Sequence, residues 1–130
     1  LVDVTGLVSG TLTASTLYEV EAWLNVTTTA VSTGTQYAIT GGGTGNAAVV
    51  EALMTGTTTT NATTSVTLSA SAAAQGTFLT TSSAGGVIFI HGFVTTRSTG
   101  TPNISIQHLK VTSGTSTVLI GSKLSIRLAN

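Results

Sequence analysis

The chain has 130 residues, with four cationic and four anionic side chains, a formal net charge of zero and no cysteine. This length suits one domain that buries its own core, while the lack of cysteine excludes disulfides, thiol nucleophiles and cysteine zinc sites. The few cations form no basic stripe for phosphate or anionic lipid, so we expect binding neither to nucleic acid nor to a membrane.

The first strands are predicted from the alternation of apolar and polar residues. Residues 1–10 are a candidate N-terminal arm or linking strand of a single domain that spans 1–130. In the segment 17–27, Tyr18 and every second residue after it share one face, whereas Glu19, Glu21 and Trp23 share the other. This period of two predicts a half-buried strand that leaves Trp23 exposed on a monomer.

The middle of the chain is predicted to contain short strands between polar loops. Strands are expected at 36–40, with Tyr37 and Ile39 on one face, at 47–54, at 65–70 and around Phe78. The glycine-rich segment 41–45 and the threonine-rich tract 55–64 are expected to be loops. The alanine-rich stretch 70–74 is too short to nucleate a helix and is also expected to be a loop.

The C-terminal third is predicted to supply the centre of the fold. Residues 86–96 are almost continuously apolar, which predicts a central strand buried on both faces, with His91 in the core between Phe89 and Phe93. Two further strands are expected at 103–112 and 123–128. About eight strands with regular turn signals indicate an all-β, two-sheet antiparallel β-sandwich of the jelly-roll type, without a substantial helix.

Association is predicted from the composition of the surface. Thr and Ser make up about a third of the residues, and these hydroxyl side chains suit strands and tolerate water without charge. A surface so poor in Lys and Glu lacks the charged residues that normally keep exposed strand edges apart. We therefore expect a homo-oligomer.

Few side chains are candidates for chemistry. Glu19 and Glu21 have the spacing of an acid–base pair or a shared cation site, but solvated surface charge is the better interpretation because further ligands are lacking. His91 and His108 are expected on neighbouring strands, yet zinc would need a third ligand. We predict no enzyme, no catalytic residue, no metal and no cofactor. Trp23, Glu19 and Glu21 are predicted to form a subunit or partner contact, with Trp23 lying under a loop as the alternative.

Several segments resemble a domain found near the ends of tailed-phage virion proteins. They are DVTGL (3–7), LTASTLYEVEA (12–22), TGTQYAI (33–39), GVIFIHG (86–92), residues 104–111 and GSKLSIR (121–127). The resemblance covers nearly the whole chain and implies a non-enzymatic, trimeric jelly-roll module on the virion surface. Such a module would be a tail-fibre tip for host attachment or a capsid decoration (cement) protein. Its implied partners are copies of itself, other virion proteins and host cell-surface glycan.

Two other functions stay open from the sequence. The chain could be the repeating subunit of an extracellular filament or surface layer, in which residues 1–8 donate a strand to the next copy. It could also be a soluble carbohydrate-binding module. That function needs an aromatic platform, for which Trp23 and Tyr37 are available besides three Phe, whereas Tyr18 is predicted to point inward.

Overall fold

A computed structural model of the protein describes residues 2–29, 33–40, 47–57, 63–70, 74–78 and 86–129. These residues form ten β-strands: β1 (Val2–Val8), β2 (Leu17–Thr28), β3 (Thr35–Thr40), β4 (Ala47–Thr57), β5 (Thr63–Ala70), β6 (Ala74–Phe78), β7 (Gly86–Thr96), β8 (Ser105–Lys110), β9 (Ser116–Val118) and β10 (Lys123–Leu128). No helix occurs in these ranges, so none of them contains a helix able to cross a membrane. The prediction of an all-β chain is confirmed, with ten strands instead of about eight.

The strands form two antiparallel sheets. The smaller sheet has the order β1-β8-β3-β6, and the larger has the order β10-β2-β7-β4-β5, with β9 also pairing with β2. Both sheets contribute to one hydrophobic core, which includes Leu7 from β1, Tyr37 from β3 and Leu24 from β2. The predicted two-sheet antiparallel sandwich is confirmed, and its jelly-roll type stays a prediction.

The predicted faces of β2 and β3 are the observed ones. In β2, Tyr18 and each second residue up to Thr28 are buried, while the residues between them are exposed or half-buried. In β3, Tyr37 and Ile39 are completely buried. The alternation of side chains across a pleated strand therefore gave the correct inner face for both strands.

The prediction that β7 is buried on both faces is wrong. Ile88 and Ile90 are completely buried, but Val87 is 49% exposed and Phe93 is 45% exposed. His91 is also exposed, so its predicted place in the core is wrong. The strand is central within its sheet, as expected, because β2 and β4 flank it. However, the sandwich has only two layers, so the outer face of β7 lies on the surface. Apolar composition alone does not reveal whether a further layer covers that face.

The threonine-rich tract is partly strand. β4 continues to Thr57, and β5 begins at Thr63, so the two strands pair along both ends of the tract that was predicted to be a loop. The β-branched side chain of Thr favours this extended geometry. Predictions for 41–45, for 58–62, for 71–73 and for Leu79 fall outside the described residues.

Candidate functional site

The outer face of the larger sheet, on the side away from the core, is the candidate functional site. The registers of β10, β2, β7 and β4 place side chains in three rows: Arg127, Glu19, Phe93 and Glu51; Ser125, Glu21, His91 and Leu53; Lys123, Trp23, Phe89 and Thr55. Directly opposed residues on antiparallel strands project from the same face of the sheet. These twelve side chains are called the outer face below.

Four rings run side by side along the outer face. The centroids of Trp23 and Phe89 are 4.4 Å apart, those of Phe89 and His91 are 6.1 Å apart, and those of His91 and Phe93 are 6.5 Å apart. Trp23 is 41% exposed, as its position in the sequence predicts, and Phe93 is also accessible. The four rings form a continuous surface, here called the aromatic strip.

A network of charged groups borders the aromatic strip. A 2.9 Å hydrogen bond joins His91 Nε2 to Oε1 of Glu19, and Nη2 of Arg127 lies 3.1 Å from the same oxygen. Arg127 Nη2 is 3.8 Å from Oε2 of Glu21, and Trp23 Nε1 donates to Oε1 of Glu21 over 3.2 Å. Exposed pairs of this kind add little stability. Their effect here is to orient the Trp23 ring and the carboxylates next to it.

This network lowers the proton affinity of Glu19. The hydrogen bond from His91 is the main cause, and the nearby Arg127 charge adds to it, so the pKa of Glu19 lies below its ordinary value. A carboxyl group with a lowered pKa in the folded state favours folding above its ordinary pKa. That contribution is lost as the pH falls through the lowered value, which places the sensitive range in acid.

We expect His91→Ala to raise the pKa of Glu19 toward its ordinary value, because the main hydrogen bond to the carboxylate is removed. A carboxyl-detected NMR titration of Glu19 measures the change. Leu53→Ala is the matched control. Leu53 lies directly opposite His91 on β4, whereas Glu19 lies on β2, on the other side of β7. A Glu19 pKa that is the same in the wild type and in His91→Ala would contradict the assignment.

The two histidines do not meet. His91 lies on β7 of the larger sheet, whereas His108 lies on β8 of the smaller sheet, so the expectation of neighbouring strands is wrong. His108 Nε2 is 2.8 Å from Oγ of Ser116, and burial lowers the pKa of His108. Within the described residues, no group of three or more His, Asp or Glu side chains is placed to hold a metal ion.

Three members of the aromatic strip lie on the opposite side of β7 from the one predicted for them. Phe89, His91 and Phe93 occupy alternate positions of β7, and all three were assigned to the interior. The sequence nevertheless contains a signal for the exposed face, because His91 is the one polar residue other than Thr within residues 86–96. Had His91 been taken to mark the outer face, the period of two would have placed both Phe rings beside it.

The predicted contact residues Glu19, Glu21 and Trp23 come together on the outer face, linked through the Glu21–Trp23 hydrogen bond and through Arg127. Their predicted role as a contact stays a prediction. Comparisons of the chain with protein-family models, with curated proteins and with solved structures found no match.

Proposed function

We propose that the protein is a non-enzymatic phage virion protein, an oligomeric jelly-roll module at the particle surface whose outer face binds host cell-surface glycan. The virion assignment is supported by the sequence resemblance to tailed-phage virion proteins. The glycan assignment is supported by the aromatic strip and its border of charged groups. Of the two virion locations, we favour a tail-fibre tip over capsid decoration, because a tip attaches to the host cell and therefore contacts its surface glycan.

Strand order supports the jelly-roll type. The first eight strands pair as β1 with β8, β2 with β7, β3 with β6, and β4 with β5. The same pairs form when one long β-hairpin folds over on itself. Strands β1, β8, β3 and β6 then lie in one layer, and β2, β7, β4 and β5 lie in the other. An eight-stranded, two-sheet arrangement of this kind matches the jelly roll.

The aromatic strip supports the choice of a sugar as ligand. A pyranose ring presents a face of C–H bonds, which packs on an aromatic ring, and an edge of hydroxyl groups, which needs hydrogen-bonding partners. The rings of Trp23 and Phe93 are exposed and can pack against the C–H face of the sugar. Glu21 and Arg127 lie within a few ångströms of one another and supply a hydrogen-bond acceptor and donors for the hydroxyl groups. Ligand sites commonly combine an apolar surface with a few fixed polar groups in this way.

The distribution of charge supports a ligand-binding role for this face. Five of the eight charged residues of the chain lie on the outer face: Glu19, Glu21, Glu51, Lys123 and Arg127. Charged residues are depleted from the cores of protein–protein interfaces. A face that concentrates them beside exposed rings fits a polar ligand better than a permanent contact between subunits.

The alternative of a filament built by strand exchange is less favoured. β1 pairs with β8 of its own chain, and Leu7 of β1 is buried in the core with 4% exposure. A donor strand would instead leave its own sheet and complete the sheet of the next copy. The observed pairing therefore gives residues 2–8 a place within their own sandwich.

A glycan array tests the proposal. We expect the wild type to bind a subset of glycans and Trp23→Ala to bind them roughly thirtyfold more weakly, the loss that corresponds to about 2 kcal/mol at an aromatic hot spot. Leu109→Ala is the matched control, since Leu109 is 40% exposed on the smaller sheet and Trp23 is 41% exposed on the larger. Binding by the wild type that Trp23→Ala leaves unchanged, or no binding at all, would overturn the glycan assignment.

A further inference from the structure

Three of the four carboxylates of the chain lie beside the aromatic strip. Glu19 on β2 and Glu51 on β4 lie directly opposite Phe93 on β7, one on each side. Glu21, the next outward residue of β2, lies directly opposite His91. Side chains paired in this way have Cβ atoms about 5 Å apart. A sugar ring that packs on Phe93 is therefore flanked by carboxylates from both neighbouring strands.

The cations of the outer face do not offset this negative charge next to Phe93. Both cations belong to β10, which is two strands away from β7, or about 10 Å at the usual strand spacing. Lys123 lies opposite Trp23, at the other end of the aromatic strip. The guanidinium group of Arg127 lies 3.1 Å and 3.8 Å from the two carboxylates of β2, so the protein's own acidic groups already offset its charge.

Glu51 is the carboxylate with the strongest expected effect on a ligand at Phe93. The residue is exposed on β4, and the ion pairs among the described residues involve Glu19 and Glu21 but not Glu51. No cation of the described part of the chain therefore neutralises it. Repulsion between two like charges about 4 Å apart weakens binding by roughly fivefold even in water.

We infer that the sugar bound at Phe93 is uncharged, so that the outer face selects neutral glycans over glycans that carry a carboxylate or a sulfate at this position. Carboxylate oxygens accept hydrogen bonds from the hydroxyl groups of a neutral sugar, but they repel an anionic group. The inference rests on the proposed binding of glycan by the aromatic strip, which makes the contact, while the carboxylates determine which glycan is accepted. Glu51 is thus a specificity-determining residue.

Matched sugar pairs test the selectivity. Oligosaccharides that end in glucose, galactose or mannose are compared with the same oligosaccharides that end in the corresponding uronate, in which a carboxylate replaces one CH₂OH group. We expect the wild type at pH 7 and low salt to bind the neutral member about tenfold more tightly, and high salt to reduce this ratio, because salt screens exposed charges.

The outcomes separate the inference from the glycan assignment. Equal or tighter binding of the uronates, or binding on the glycan array to anionic glycans alone, would overturn the inference and leave the glycan assignment intact. No binding to any glycan would overturn both.

Glu51→Gln tests the source of the selectivity. Gln keeps the shape of the side chain and removes its charge, so we expect the ratio of neutral to anionic affinity to fall about fivefold, mainly through tighter binding of the uronate. Asp3→Asn is the matched control, since it makes the same change in net charge on β1 of the smaller sheet and should leave the ratio unchanged. A ratio that Glu51→Gln does not lower, or that Asp3→Asn lowers equally, would overturn the role of Glu51.

Discussion

Ile88→Ala is expected to lower the free energy of unfolding by about 2–5 kcal/mol, whereas Val87→Ala, one residue earlier, should change it by no more than about 0.5 kcal/mol. The two positions lie on opposite faces of β7. Ile88 is completely buried in the core, and Val87 is 49% exposed on the outer side of the sheet. Truncation of Ile88 leaves a cavity that packed neighbours fill only in part, while truncation at Val87 leaves a site that is already open to water.

Urea unfolding followed by fluorescence measures both variants, because Trp23 is the single tryptophan and lies outside the core. Equal denaturant slopes for the variants and the wild type would show that the difference in midpoint is a difference in stability. Similar losses for the two substitutions would mean that β7 is covered on both faces, as the apolar run alone suggested, and would contradict the exposed aromatic strip.

The contrast between β2 and β7 shows how far the sequence could predict this fold. In β2, polar residues occupy the outward positions, so the alternation is visible in the sequence and the inner face was predicted correctly. In β7, the outward positions hold Val87, Phe89 and Phe93. Their exposure depends on whether another layer covers the sheet, which is a tertiary property that local periodicity does not contain.

The candidate site could be predicted only in part for a related reason. Glu19, Glu21 and Trp23 are close in sequence, and the period of two placed them on one face. The partner of Glu19, His91, is 72 residues away, and Arg127 comes from a third strand. Their meeting depends on the order and register of strands in the sheet, which sandwiches with the same number of strands do not share.

Gly92→Ala is expected to destabilise the protein by about 3 kcal/mol, or to prevent folding, because β4 passes too close to β7 for a side chain at this position. A Cβ added to Gly92 would lie 2.3 Å from Cα of Ala52 and 2.3 Å from the carbonyl oxygen of Glu51. Both atoms belong to the backbone, so no side-chain rotation relieves the contact. Gly92 does not have a positive φ, and its requirement for glycine therefore comes from space rather than from backbone conformation.

Gly10→Ala is the matched control. Nothing lies within 4 Å of a Cβ at Gly10, and its φ is also not positive. Alanine there restricts the unfolded chain without straining the folded one, so stability should rise by about 0.4–1 kcal/mol. Denaturant midpoints of the two variants measure the difference, and a Gly92→Ala protein as stable as Gly10→Ala would contradict the close approach of β4 and β7. If Gly92→Ala folds at all, β4 must move away from β7, which would displace Glu51 and Leu53 from the outer face.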